Sequence, residues 1–142
     1  MAENGKLADC LEWFAKAIRT LGPIHESDPR DVDAREYLRN SHANRAFTYH
    51  RLRQYVKAIP DLDKAIELSP KEVQPRLRAV RATAQAQAGQ VAEAVAEVAE
   101  LTKVSFWPAP AWYDFACVYA VASGKLADKK DEYAKRDRKS VV

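Results

Sequence analysis

The chain has 142 residues, of which 47% are hydrophobic and 30% charged, and its formal net charge is +3; this composition is typical of one water-soluble domain or repeat array and does not point to nucleic acid. The two cysteines, Cys10 and Cys117, have no paired spacing, which argues against a disulfide framework or a zinc site and favours the reducing cytoplasm. The N-terminus lacks a signal-peptide pattern, and no apolar run approaches the roughly 20 residues of a membrane span.

Apolar residues recur at steps of three and four along the chain, which predicts an all-α protein without strands. A first helix is expected over residues 7–21 and a second over residues 35–52. A third helix is expected to start near Tyr55 and to contain Pro60. Because the first four amide hydrogens of a helix have no partner within it, a proline this early need not end the helix.

A fourth helix is expected to begin between Pro70 and Gln74, and the later position is favoured because Pro75 also suits a first turn. The last apolar helix is expected over residues 110–123, followed by a charged segment. The glycines all lie between apolar segments and are expected at helix ends, where a positive φ is useful: Gly5, Gly22, Gly89 and Gly124. Arg53 stands where the sister turns have glycine, so a positive φ is expected there too.

The sequence repeats itself. When the triplet at residues 44–46 is placed over that at 80–82, the offset is 36 residues, and the small and apolar positions of the following helices coincide. The first triplet also aligns with residues 114–116, and the triplet Lys-Ala-Ile occurs at both 16–18 and 64–66. Recurrence on this scale indicates stacked helical hairpins.

The stretch from Asn44 to Pro70 resembles a tetratricopeptide repeat, a helix-turn-helix unit of 34 residues. The family's small, aromatic, small, large, small and proline positions are occupied by Ala46, Tyr49, Ala58, Leu62, Ala65 and Pro70. The resemblance implies a single all-α domain over residues 1–142, built as a right-handed superhelix (solenoid) of antiparallel helix-turn-helix hairpins. Its expected parts are the second helix of a partial repeat (5–22), a complete repeat (30–70), a second, divergent repeat (71–104), the first helix of a third repeat (108–123) and a charged C-terminal helix or tail (124–142).

Residues 113–136 also resemble the last repeat of the tetratricopeptide arrays in large bacterial serine/threonine kinases. This implies that the chain is part of a larger bacterial regulatory protein, although it contains no kinase motif. Because a helix lacks its partner at each end, we expect either a fragment of a longer array or ends that another chain covers. The alternative function is therefore structural self-assembly (homo-oligomerisation) through an end face that carries Trp13, Phe14, Trp107 or Trp112.

No catalytic residue, metal site or cofactor is predicted. His25, His42 and His50 do not have the spacing of metal ligands, and no phosphate loop, nucleophile elbow or dinucleotide fingerprint occurs. The acidic segment 61–67 is interpreted as a solvated helix face, and Cys10 and Cys117 as small buried residues. The charged segment 125–139 is interpreted as a solvated helix, so nucleic acid is not expected as a partner.

The resemblance implies a non-enzymatic protein-interaction or scaffold module, because the first helices of this family line a groove that holds an extended or helical segment of a partner. The groove positions carried over to this chain are Ala43, Phe47, His50, Arg51, Arg76, Ala79, Thr83, Gln87, Tyr113 and Cys117. Ala43 and Phe47 replace the Lys-Asn pair with which some members hold a terminal carboxylate, which argues against that ligand. For Phe47 and Tyr113, packing between helices is an equal alternative.

Overall fold

The computed structural model describes the backbone of residues 2–103 and 107–140, and the side chains of residues 3–103 and 107–124. These residues form six helices and no strand: α1 (Ala2–Ser27), α2 (Val32–Arg51), α3 (Tyr55–Glu67), α4 (Gln74–Gln87), α5 (Val91–Leu101) and α6 (Ala109–Ser140). Each helix from α1 to α5 packs on the next, and α6 packs on both α4 and α5. The predicted all-α solenoid of antiparallel helical hairpins is confirmed.

The two complete hairpins, α2–α3 and α4–α5, have the same turn. Arg53 has a φ of 58° and Gly89, 36 residues later, a φ of 91°. In both turns the next amide closes the loop with a 2.8 Å hydrogen bond, from Gln54 to the Tyr49 carbonyl and from Gln90 to the Gln85 carbonyl. A left-handed residue followed by such a long-reaching bond is a common way to end a helix. The positive φ expected at Arg53 is confirmed.

The two helices that contain proline near their beginning, α3 and α4, start at the residues predicted from the sequence. The third helix begins at Tyr55 and runs through Pro60 to Glu67, and Pro60 is its sixth residue, with an exposed ring. The fourth helix begins at Gln74, with Pro75 in its first turn, where a missing amide hydrogen removes no helical bond.

Three glycines do not end helices, which corrects the sequence-based expectation. Gly5 and Gly22 lie inside α1, and Gly124 lies inside α6. A glycine within a helix costs only about 1 kcal/mol relative to alanine, and the packing of α1 along α2 outweighs that cost. As a result α1 extends beyond the predicted 7–21 at both ends, and α6 continues through Gly124 to Ser140.

The fourth helix is shared by two core clusters. Leu77 and Ala84 belong to the first cluster, with α2 and α3. Ala79, Ala82 and Ala86 belong to the second, with α5 and α6. Alanines on both faces allow neighbouring helices to approach α4 closely, so the hairpins stack about this helix.

Cys10 is exposed and Cys117 is half-buried, so the expectation of a buried residue is wrong for Cys10. Its face of α1 has no helix against it within the described residues. The side chains of 125–139 lie outside the described residues, although their backbone is helical. No helix that the structure describes is both long enough and apolar enough to cross a bilayer.

Candidate functional site

The first helices of the hairpins, α2, α4 and α6, line a groove made of two adjoining cavities. One cavity, of about 280 Å³, is lined by Phe47, His50, Arg51, Val80, Thr83 and Asp114. The other, of about 450 Å³, is lined by Arg76, Ala79, Val80, Trp107, Pro108, Pro110, Ala111 and Asp114. Val80 and Asp114 line both cavities, so the two lie next to each other, and together they are called here the α2–α4–α6 groove.

Most of the sequence-predicted positions on α2 and α4 meet in this groove. Phe47, His50, Arg51 and Thr83 share the smaller cavity. Arg76 lines the larger one together with Ala79, a residue that is only 6% exposed. Contact with a partner at these residues remains a prediction.

The other predicted positions lie elsewhere. Ala43 is buried in the core beside Ala46, so its short side chain serves helix packing, and it is not among the residues that line the two cavities. Gln87 lines a separate cavity near the α2–α3 turn. Tyr113 and Cys117 on α6 are not among the residues that line the groove. Tyr113 is 72% exposed, so packing between the described helices does not explain it.

The groove has more positive than negative charge. Arg51 lies at one end, where its Nη2 donates a 2.7 Å hydrogen bond to Glu3 Oε1, and Arg76 is exposed at the other. Burial lowers the pKa of His50, and the carboxylate of Asp114 opposes this shift only in part. His50 is therefore neutral at neutral pH, and its ring packs edge-on against Tyr55 with 5.0 Å between centroids.

Six residues that line the groove were not among the sequence-predicted positions: Val80, Trp107, Pro108, Pro110, Ala111 and Asp114. The repeat alignment places Val80 of α4 and Asp114 of α6 at the position of Asn44 in α2. Each directly follows a predicted groove position, so including the next residue of each repeat would have found both. Trp107 lies before α6, outside any helical pattern. It is held by a 2.7 Å hydrogen bond from its Nε1 to the Leu101 carbonyl and by an edge-on contact with Phe115.

An acid that accepts hydrogen bonds from two basic side chains joins the two helices of each complete hairpin. In the first hairpin, Asp61 accepts hydrogen bonds from Arg45 at 2.7 Å to each carboxylate oxygen, and its Oδ1 lies 2.9 Å from His42 Nδ1. Asp61 is 4% exposed, so the interpretation of segment 61–67 as a solvated face is wrong at this residue. Asp63 and Glu67 in the same segment are exposed.

The second hairpin repeats this arrangement 36 residues later. Glu97 accepts hydrogen bonds from Arg78 at 2.5 and 3.2 Å and from Arg81 at 3.2 Å. Arg81 also reaches Asp63 of the first hairpin at 2.7 Å. The acid of α3 or α5 thus lies between two bases of the preceding helix in both units.

These acids are ionised structural groups. Burial alone would raise the pKa of Asp61, but the hydrogen bonds from His42 and Arg45 outweigh burial and lower it. The same balance lowers the pKa of Glu97, through Arg78 and Arg81. A group with a lowered pKa that is held by two bases suits neither general-acid nor general-base work near neutral pH. Among the described residues, no three His, Cys, Asp or Glu side chains gather in a set that could hold a metal ion.

A stack of helical hairpins with a repeated turn, a repeated acid network and a groove along its first helices defines an α-solenoid repeat protein. Residues 40–72, which hold most of the α2–α3 hairpin, match the family model described as Tetratricopeptide repeat; this stretch is therefore similar to one such repeat. Repeats of this family generally mediate protein–protein interaction or scaffolding and are generally non-catalytic. No curated protein and no solved structure matches the chain.

Proposed function

We propose that the chain is a non-enzymatic interaction module whose α2–α4–α6 groove binds an extended or helical segment of a partner protein. The observation that carries the proposal is that two cavities adjoin along α2, α4 and α6, with Val80 and Asp114 lining both. A single segment can therefore contact three helices at once. A groove that exists before binding also lowers the ordering cost of association.

The residues of the groove favour a particular partner chemistry. Phe47 and Val80 offer apolar surface in the smaller cavity, and the partly buried Trp107 offers more in the larger one. Arg51 and Arg76 provide guanidinium groups, which bind carboxylates well. The proposed partner segment therefore carries an apolar anchor flanked by acidic side chains, and its anchor supplies most of the binding energy.

A random peptide display library, screened on the full chain, tests this proposal. Peptides with an apolar anchor and nearby acids are expected to be enriched, and Arg51→Glu is expected to abolish the preference for acids. Phe47→Ala is expected to weaken each selected peptide about tenfold or more, in the range of an interface anchor. Lys71→Glu is the matched control, since Lys71 is exposed but is not among the groove residues. The proposal is wrong if no peptide is enriched, or if both groove variants select the same peptides as the unaltered chain.

The setting of the module is part of the same proposal. We place it in a larger bacterial regulatory protein of the cytoplasm, with the repeat divisions 5–22, 30–70, 71–104 and 108–123. The support is the resemblance of residues 113–136 to kinase-linked arrays. Sequencing the gene on either side of this segment tests the placement, which fails if the neighbouring codons specify no regulatory domain.

Two exposed indoles favour a second candidate function, self-association through the terminal helices. Trp13 of α1 is 68% exposed and Trp112 of α6 is 50% exposed. Phe14 is half-buried, and Trp107 is anchored by its hydrogen bond to Leu101, so both contribute less. Analytical ultracentrifugation over a range of concentrations tests this candidate, and a mass that stays monomeric throughout argues against it.

A further inference from the structure

The positions that carry the acid network inside the two complete hairpins carry tryptophan at both ends of the solenoid. The matched Lys-Ala-Ile triplets at 16–18 and 64–66 place Trp13 of α1 at the position of Asp61. The alignment of residues 114–116 with 44–46 places Trp112 of α6 at the position of His42. The acid position is therefore occupied by a tryptophan in the first helix of the chain, and the base position is occupied by a tryptophan in the last helix.

The face of α1 that carries Trp13 is the face that α3 covers with its hairpin partner. In α3, Ala58 and Asp61 are 0% and 4% exposed because α2 lies against them. Their counterparts in α1 are Cys10, which is exposed, and Trp13, which is 68% exposed. The opposite side of α1 packs on α2, as α3 packs on α4. This end thus presents a second-helix surface that no first helix covers within the described residues.

The face of α6 that carries Trp112 is the complementary surface. In α2 and α4 the same face holds Ala46 and Ala82, which are 0% exposed because α3 and α5 cover them. Their counterpart in α6, Ala116, is exposed. Trp112 stands beside it, edge-on to the buried Phe115 with 5.7 Å between centroids. Among the described residues, this end presents a first-helix surface without a second helix.

We infer that α6 of one copy and α1 of a second copy pack together as a hairpin, with Trp112 of the first copy against Trp13 of the second. This inference rests on the second candidate function, self-association through the terminal helices. It specifies which helices pack together and which residues meet. It does not use the α2–α4–α6 groove.

The contact continues an interface that each chain already contains twice. The order α6, α1, α2 across the junction repeats the order α2, α3, α4 and the order α4, α5, α6 within the chain. An ion pair suits a junction inside one chain, where the turn holds both partners together. Two indoles suit a junction between chains, because burying large apolar surface drives association without an unpaired charge in the free state.

A second copy fits these faces because one chain carries both members of the tryptophan pair, Trp13 at the acid position and Trp112 at the base position. A partner of other chemistry would have to match Trp13 and Trp112 separately, on unlike surfaces. The contact is heterologous, joining two different faces, so it does not close on itself as a symmetric dimer does. We therefore expect a concentration-dependent series of head-to-tail oligomers.

Sedimentation velocity on three forms of the chain tests the inference. The unaltered chain is expected to form species that grow with concentration, while Trp13→Glu and Trp112→Glu each weaken association by at least about thirtyfold, as the loss of an interface anchor does. An equimolar mixture of the two variants is expected to form a one-to-one dimer that grows no further. In this mixture each variant has one intact end, and the two altered ends repel each other. Tyr37→Glu is the control, since Tyr37 is a 61% exposed aromatic residue on α2.

Three results would overturn the inference: an unaltered chain that is monomeric at millimolar concentration, a variant that associates like the unaltered chain, or a mixture that stays monomeric. Circular dichroism checks that the variants remain helical, and Trp112→Ala replaces Trp112→Glu if the charge disturbs Phe115. The groove variant Phe47→Ala is expected to leave sedimentation unchanged. Failure of the groove proposal and failure of this inference are thus separate results.

Discussion

The two complete hairpins place an acid at the same position but differ in how deeply they bury it. The side chain of Asp61 is 5% exposed and its bases, His42 and Arg45, belong to its own hairpin. The side chain of Glu97 is 15% exposed, and its second base, Arg81, is shared with Asp63 of the neighbouring hairpin. A deeply buried charge depends more on its partners than a hydrated one. The acid is therefore expected to contribute more to the free energy of unfolding in the first hairpin than in the second.

The largest difference is expected in the apolar core next to these acids. Leu62 and Val98 occupy the same repeat position, and both are fully buried. Leu62→Ala is expected to lower the free energy of unfolding by about 4 kcal/mol, and Val98→Ala by about 2 kcal/mol because it removes less apolar volume. Urea unfolding followed by circular dichroism measures both. Equal losses would mean that Val98 contributes packing that its burial does not account for.

Removing the charge of each acid is expected to give the next largest effect. Asp61→Asn leaves two bases facing a neutral amide in a buried site, which is expected to cost about 3 kcal/mol. Glu97→Gln is expected to cost about 1 kcal/mol, since water reaches this site and Arg81 keeps Asp63 as a partner. Chemical denaturation at neutral pH checks the order, and a greater loss for Glu97→Gln would refute the comparison.

Acid sharpens the same comparison without mutation. The folded-state pKa of Asp61 lies below its usual value, so the stability from its ionised form is complete above the unfolded-state pKa of about 4. That stability is lost as pH falls through the lower folded-state pKa. The unaltered chain is therefore expected to lose more stability between about pH 5 and about pH 2 than Asp61→Asn does. Parallel pH profiles for the two proteins would contradict this assignment.

The hairpin turns provide the smallest contrast. Arg53 and Gly89 hold the same left-handed turn, which disfavours a side chain by roughly 1–2 kcal/mol. Arg53→Gly relieves that strain but adds freedom to the unfolded chain, so a gain of about 0.5 kcal/mol is expected. Gly89→Ala is expected to cost about 1 kcal/mol, although its new methyl group would meet nothing within 4 Å. Thermal unfolding measures both changes, and a stabilising Gly89→Ala would rule out strain as the cause.

Local signals predicted the elements whose cause is local. Helices start at Tyr55 and Gln74 as expected, because apolar steps of three and four, and for Gln74 the proline in the first turn, act within one or two turns. The prediction that glycines end helices was wrong for the opposite reason at Gly5, Gly22 and Gly124. Packing over many residues decides whether a helix continues through a glycine.

The groove was partly predictable because residues at equivalent positions of successive repeats lie on the same face of their helices. Phe47, His50 and Thr83 meet in it as the register implies. Ala43 and Ala79 hold the same repeat position and both are buried in core clusters, but only Ala79 also lines the groove, because the cavity beside it is formed by α4 and the start of α6 without residues of α2. Trp107 precedes α6 outside any periodic pattern, so only the folded chain brings it to the groove.

The sequence by itself determined the helical class, the 36-residue repeat and the stacking of hairpins, since these follow from periodicity and from small residues at close contacts. Only the tertiary structure decided which acids are buried. Asp61 and Asp63 are two residues apart in one helix, yet the first is buried between two bases and the second is an exposed side chain that pairs with Arg81 of the next hairpin. A helix turns about 100° per residue, so a neighbour in sequence points to a different environment. Long-range packing, which no local pattern encodes, then fixes what that environment is.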